Sequence, residues 1–284
     1  MLVFPDALEK RRKSLTLGFL SLAVALVWVA VFQAPDQHLH IWVLDVGQGD
    51  AILIRTPTNQ KILIDGGPNE SVLPRLGEVL PFWERALDLV VLSHPDADHV
   101  TGLVGVLKNY QVGQLLAGSY TCETAICREF EALVAEKGIP RWTARTGGKA
   151  SLGDLEMRIY WPGGSCHLNR NDCSIVALLD FYDFEALFPG DIEERGQKAL
   201  VLSGFDIPST ELLKVPHHGA NCLWGPFLEE VSPEVAIVSV GRNSYGHPTA
   251  ETLDKLREIG SKVFRTDEWG VVEIISDGRS WWVR

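Results

Sequence analysis

The sequence predicts an α/β fold, an αββα sandwich of two facing sheets with helices outside, preceded by one apolar N-terminal helix. Three observations carry this. From His40 to the C-terminus, short apolar strands alternate with amphipathic helices, and the pattern runs twice, once in each half. Polar clusters recur where strands end, and residues Ser14 to Phe32 carry no charge at all.

The chain has 284 residues, of which 46% are hydrophobic, enough for a sizeable core in one large domain or two small ones. Lys10, Arg11, Arg12 and Lys13 precede the uncharged stretch, and no basic residue follows before Arg55. A stretch of that length spans a ~30 Å hydrocarbon layer. The charge asymmetry then keeps residues 1–13 in the cytoplasm, makes residues 14–33 a transmembrane anchor and puts residues 36–284 outside. A cleaved signal peptide is the rival reading. Pro35 after Ala34, with no small-x-small site, favours an uncleaved anchor.

The expected elements follow in order. Ile41 to Leu44, Ala51 to Arg55 and Lys61 to Ile64 read as strands joined by tight turns, and Ser71 to Arg85 as a helix interrupted by Pro74 and Pro81. A buried strand over Leu87 to Leu92 leads into a helix over Val100 to Tyr110. Next come strand Gln114 to Ala117, helix Thr124 to Lys137, and strands near Arg141 and over Leu155 to Tyr160. A hairpin over Cys173 to Phe181 and Glu185 to Phe188 opens the second half, followed by helix Glu193 to Leu202 and strands Leu212 to Val215 and Val235 to Val240. Helix Ala250 to Ile259 and strands Lys262 to Arg265, Val271 to Ile275 and Trp281 to Val283 close the chain.

Between the strand ending at Leu92 and its helix lies His94-Pro95-Asp96-Ala97-Asp98-His99. Two imidazoles and two carboxylates within six residues are costly beside an apolar strand unless a cation neutralises them. His94 with Asp96 and Asp98 with His99 form two ligand pairs, suiting two ions of zinc, manganese or iron. Asp191 follows the apolar run Ala186 to Phe188 and is placed to face the same mouth, with a helix N-cap as its alternative role. His217 and His218 follow one strand and His247 another.

The motif from His94 to His99 resembles the metal motif of the metallo-β-lactamase superfamily, in the variant where the second histidine is aspartate. Together with Asp45-Val46-Gly47-Gln48-Gly49-Asp50 it resembles the C-terminal hydrolase domain of the ComEC (Rec2) competence family, from about His40 to the end. The resemblance implies an αββα sandwich with two divalent ions, zinc or manganese, at one edge between the sheets. It implies Asp191 as the carboxylate that bridges them, His217 as a ligand of the second ion and His218 as a group that orients it or touches substrate. His247 would contact substrate or transfer a proton, and Asp65, Asp45 or Asp50 would lie beneath the ions. A further family histidine is missing from His167 to Ser174; Asn171 or Asp172 replaces it, with His167 a weaker substitute, and Asn171 would also bind a substrate oxygen.

The implied activity is metal-dependent hydrolysis by a hydroxide that bridges the ions, attacking a phosphodiester, plausibly of single-stranded DNA. One spanning helix implies a separate channel protein for DNA uptake. A small-phosphodiester esterase like phosphorylcholine esterase, or a binding module without catalysis, are the alternatives. The formal charge is −11, and the first 32 residues, with four basic and two acidic side chains, leave −13 for the rest. Nucleic acid would therefore be drawn by bound cations rather than by a basic surface. Cys122 with Cys127 and Cys166 with Cys173 allow two short-range disulfides outside the cytoplasm, Cys222 being left over; five unpaired thiols are the alternative.

Overall fold

The structure, a computed structural model, describes residues 5–33, 36–162, 166–204 and 206–284. It divides into two units, residues 1–36 and residues 37–284. The first is the helix α1, Pro5–Gln33. Its large apolar side chains from Leu15 to Trp28 are exposed. The expected membrane crossing is not found: among the described residues no helix is long and apolar enough to cross a membrane. Ala34 and Pro35, on which the expectation of an uncleaved anchor rests, lie outside the described residues.

The second unit holds two sheets. In the first half, β1 (Leu39–Val43), β2 (Ile52–Arg55), β3 (Lys61–Ile64), β4 (Ala86–Leu92), β5 (Gln111–Ala117) and β6 (Arg141–Thr143) run side by side. Helices α2 (Val72–Val79), α3 (Ala97–Asn109) and α4 (Ala125–Glu136) connect them. In the second half come β7 (Lys149–Leu152), β8 (Leu155–Trp161), β9 (Val176–Phe181), β10 (Phe184–Phe188), α5 (Glu194–Leu202), β11 (Leu212–Lys214), α6 (Gly225–Val231), β12 (Val235–Val238), α7 (Ala250–Glu258) and β13 (Lys262–Arg265). After α8 (Thr266–Trp269), strands β14 (Val272–Ser276) and β15 (Trp281–Val283) return to the first sheet, β14 pairing antiparallel with β1. The sheet orders are β15-β14-β1-β2-β3-β4-β5-β6 and β13-β12-β11-β10-β9-β8-β7.

The period-2 geometry of strands sorts the side chains into three apolar layers. Leu39, Ile41 and Val43 of β1 face the gap between the sheets, where they meet Met157, Leu179 and Ile237. Trp42, on the opposite face of β1, packs with Val100 and Leu103 of α3 and Phe130 of α4. Across the molecule Val176, Leu178 and Leu187 pack beneath Leu200 of α5, Phe227 of α6 and Leu256 of α7. Central strands are covered on both faces, so β4 is apolar almost throughout rather than alternating.

The differences from the expected elements have local causes. The expected helix over residues 71–85 stops at Val79, two residues before Pro81, because the residue preceding a proline is pushed out of the helical region. Strand β7 is an edge strand of only four residues, two of them exposed, and α6 begins at Gly225-Pro226, so neither carries a strong apolar period, and neither was expected. Helix α3 starts at Ala97 rather than Val100, which puts Asp98 and His99 in its first turn.

One backbone contact sets where α3 sits. A Cβ on Gly102 would lie 1.8 Å from the Gly66 carbonyl oxygen, so only glycine lets the helix rest on the turn after β3. Gly66 N–H donates to the His99 carbonyl at 2.8 Å and Gly102 N–H to the Gly67 carbonyl at 3.0 Å. The turn that bears Asp65 and the helix that bears Asp98 and His99 are thereby locked together.

Candidate metal centre

Six loops at one edge of the two sheets carry the polar residues inward. Asp50 comes from the β1–β2 loop, Asp65 follows β3, Ser93 to Asp96 follow β4, Asp191 follows β10, His217 and His218 follow β11, and Ser239 to His247 follow β12. Asp98, His99, Asp191 and His218 each offer a ligand atom, all within 4.8 Å of one another. His99 Nε2 and His218 Nε2 lie 3.2 and 3.3 Å from the same oxygen, Asp191 Oδ2, and His218 Nε2 is also 3.3 Å from Asp98 Oδ2.

Each histidine of this wall is held by its other nitrogen. His99 Nδ1 donates to Asp65 Oδ2 at 2.8 Å, His218 Nδ1 donates to the Ser239 carbonyl at 2.9 Å, and His94 Nδ1 donates to Ser93 Oγ at 3.1 Å. Ser93 Oγ in turn donates to Asp65 Oδ2 at 2.6 Å, and Asp65 Oδ1 accepts from Ser93 N–H at 2.8 Å. Fixing Nδ1 as donor turns Nε2 toward the centre, which is how proteins orient metal-binding imidazoles. His94 Nε2 and His218 Nε2 are buried without a hydrogen bond. Orphaned ring nitrogens beside two carboxylates in a mixed nitrogen and oxygen set fit a divalent ion.

The electrostatics of the ion-free cluster point the same way. Burial raises the Asp191 carboxyl, but His218, His99 and Lys214 together hold it well below its ordinary value. Burial works against the charged forms of His99 and His218, yet the carboxylates of Asp191 with Asp65, and of Asp191 with Asp50, raise both well above the ordinary histidine range. The carboxylates that favour positive charge on these two rings would favour a bound cation in the same way. His94, by contrast, is pushed down to about 4 by burial and by neighbouring His99, leaving a neutral imidazole.

Asp50, Asp65 and His99 form a second group of potential ligands. Its charges are already matched. Asp65 accepts three hydrogen bonds, and Asp50 is ion-paired to the buried ammonium of Lys214, whose Nζ also lies 3.3 Å from Asp191 Oδ1. This group supports the ligands from beneath.

The expected residues are distributed unevenly. His94 and Asp96 face each other, Nε2 to Oδ2, at 3.8 Å, and Asp96 also meets Arg170 Nε at 3.2 Å. Asp98, His99 and Asp191 stand in the cluster. Of the two adjacent histidines, His218 is among the ligand atoms, and His217 Nδ1 faces Glu193 Oε1 at 3.3 Å. In the turn Pro216–Gly219 both take left-handed backbone angles, φ 48° and 53°; His218 is buried and His217 half-buried. Asn171 donates to Glu193 Oε1 at 3.1 Å, and Asp172 Oδ1 accepts from the N–H groups of Glu193 and Gly196, capping the start of α5. Neither stands in the cluster. His167 is exposed, and Asp45 is paired with Arg75 at 3.0 Å. His247 is half-buried, its ring 5.6 Å from that of His217.

Lys214, Ser93 and Glu193 were not expected as site residues. The available signal was Lys214 itself, a charged side chain ending the apolar strand Leu212–Lys214, since lysine is almost never fully buried without a partner.

Comparison with known proteins agrees with this fold. ComE operon protein 3 of Bacillus subtilis is 26% identical over 94% of this chain and 37% of its own length. Competence protein ComA of Neisseria gonorrhoeae is 30% identical over 84% of this chain and 32% of its own. The chain thus spans about a third of the curated relatives it matches. Among solved structures, the metallo-beta-lactamase fold protein YhfI of Bacillus subtilis superposes with a TM-score of 0.58 at 12% identity, covering 84% of this chain and all of that one. CmlA, a diiron beta-hydroxylase of Streptomyces venezuelae, superposes with a TM-score of 0.54 at 15% identity, covering 85% and 54%. Residues 44–242, from the end of β1 through the loop after β12, match the family model, and the chain belongs to the metallo-beta-lactamase superfamily.

Proposed function

We propose that this chain is a divalent-metal-dependent phosphodiesterase that cuts single-stranded DNA. The observation that carries the reading is the cluster of Asp98, His99, Asp191 and His218 at an open edge of the sandwich. The name of one relative, competence protein ComA, supports DNA as the polymer. In this reading His94 and Asp96 would hold a second ion, like the first zinc or manganese. When bound, such ions supply Lewis acidity toward a phosphoryl oxygen and lower the pKa of water.

The side chains supply the rest. Asp191 divides its two oxygens, Oδ1 toward Lys214 and Oδ2 toward the ligand histidines, so the ammonium fixes which oxygen would be offered to an ion. His247 has an unpartnered Nδ1, and burial followed by the charges of His217 and His218 lowers its pKa, so it is neutral near pH 7. It serves as a hydrogen-bond partner for a substrate oxygen rather than as a store of protons. Asn171, tied to Glu193, sits behind His217 and steadies it through the shared carboxylate. The net charge of −11 favours a second reading, an esterase for small phosphodiesters, since such substrates need no basic surface.

The domain works outside the cytoplasm in this proposal. Its support is the pair of disulfides, Cys122–Cys127 and Cys166–Cys173, which persist in oxidising compartments.

Three measurements test these points. With manganese or zinc the chain is expected to hydrolyse labelled single-stranded DNA, with activity abolished by chelation and reduced at least a hundredfold in Asp191→Asn, a loss of ~3 kcal/mol of transition-state stabilisation. Turnover of a small diester alone would support the esterase; turnover of neither would refute phosphodiester chemistry. Loading the ion-free chain near pH 7 should release about two protons, from His99 and His218, and affinity should weaken as pH falls because protons compete for the raised imidazoles. Calorimetry in buffers of different ionisation enthalpy reads this, and loading without proton release would contradict it. Chain isolated from its host without reductant and then denatured should titrate one thiol, Cys222. Five reactive thiols would contradict the compartment.

A further inference from the structure

A row of aromatic rings leads from the cluster to solvent. Ring centroids step from His99 to His218 by 5.4 Å, to His217 by 6.1 Å, to His247 by 5.6 Å and to Tyr245 by 5.7 Å. The first two rings are buried, and the last is 74% exposed.

The loop that carries this ring is tied down. Asn243 Oδ1 accepts from the N–H groups of Tyr245 and His247 at 3.0 and 3.1 Å, and Asn243 Nδ2 donates to the carbonyls of Gly241 and His247 at 2.9 and 2.8 Å. Gly241 lies on the backbone of the β1–β2 loop so closely that a Cβ there would come within 2.5 Å of the Gly47 carbonyl carbon. The same β1–β2 loop bears Asp50, so the Tyr245 loop is anchored to the metal centre. Exposed Arg242 lies on it as well.

We propose that Tyr245 and Arg242 form a strand-binding subsite beside the metal centre. Tyr245 stacks on the nucleobase next to the phosphate to be cut, and Arg242 pairs with an adjoining phosphate. The inference rests on the nucleic-acid substrate proposed above and specifies how it is held. A ring on a pinned loop loses little freedom on binding, and stacking is indifferent to sequence because every base has a π-face. In a chain of charge −11, contact of this kind supplies affinity that a basic surface does not. One arginine provides a planar donor pair for phosphate oxygens.

The test uses the full chain with manganese and two cleavage-resistant phosphorothioate oligonucleotides of equal length, one with bases and one abasic, read by fluorescence anisotropy. The wild type should bind the base-containing strand roughly tenfold more tightly. Tyr245→Ala should bring that ratio toward one, Tyr245→Phe should keep it, and Arg242→Ala should weaken both strands alike and lower the salt slope by about one. A wild type without base preference, or a Tyr245→Ala variant that retains it, overturns the subsite. Hydrolysis of ordinary DNA is scored separately. A chain that binds with base preference but cuts no DNA keeps the subsite and refutes the nuclease, one that cuts without base preference does the reverse, and one that neither binds nor cuts refutes both.

Discussion

Four carboxylates meet at one edge of this protein, and the need to balance their charge governs its architecture there. Asp50, Asp65 and Asp191 are buried, and Asp98 lies at the rim. Charges of like sign in a poorly polarisable interior repel strongly, so each must be matched by a cation or a hydrogen-bond donor. Lys214 matches Asp50 and the inner oxygen of Asp191; the Ser93 hydroxyl and His99 match Asp65. What remains is the outer oxygen of Asp191 and the carboxylate of Asp98, facing the Nε2 atoms of His99 and His218. That remainder is the shape of a cation site.

The scaffold makes the convergence possible at some conformational cost. Asp65, His217 and His218 all adopt left-handed backbone angles, a conformation that non-glycine residues hold at ~1–3 kcal/mol each only when their surroundings over-determine it. Those surroundings are the rigid strand ends of both sheets and the glycine contact between α3 and the turn after β3. The loops are short and bound to one another, so the site is organised before any ligand arrives.

Much of this was legible in the sequence for a simple reason. Strand ends with polar residues were visible because apolar runs such as Leu89 to Leu92 stop abruptly at Ser93 and His94, and a motif of fixed spacing marks a fixed geometry. Spacing alone does not say which of two adjacent side chains turns inward. At His217 and His218 the answer depends on two successive left-handed residues, a feature of tertiary packing that no local pattern encodes. Asp172 illustrates the other limit: a buried carboxylate near a metal motif invites reading as a ligand, and here it caps a helix. Lys214 was hidden because one lysine at the end of a strand looks like a surface residue until its neighbours are known. At the N-terminus an uncharged stretch was legible as a helix, which α1 is, but not as a crossing that the described residues sustain.

The central claim is that His218, rather than its neighbour, holds an ion together with Asp98, His99 and Asp191. Metal content per folded chain, measured after equilibration with manganese or zinc and removal of excess, tests it most directly in His217→Ala and His218→Ala. The account predicts that His218→Ala, shown to be folded by its circular dichroism, loses an ion that the wild type retains, whereas His217→Ala keeps it. Retention in His218→Ala together with loss in His217→Ala would contradict the assignment.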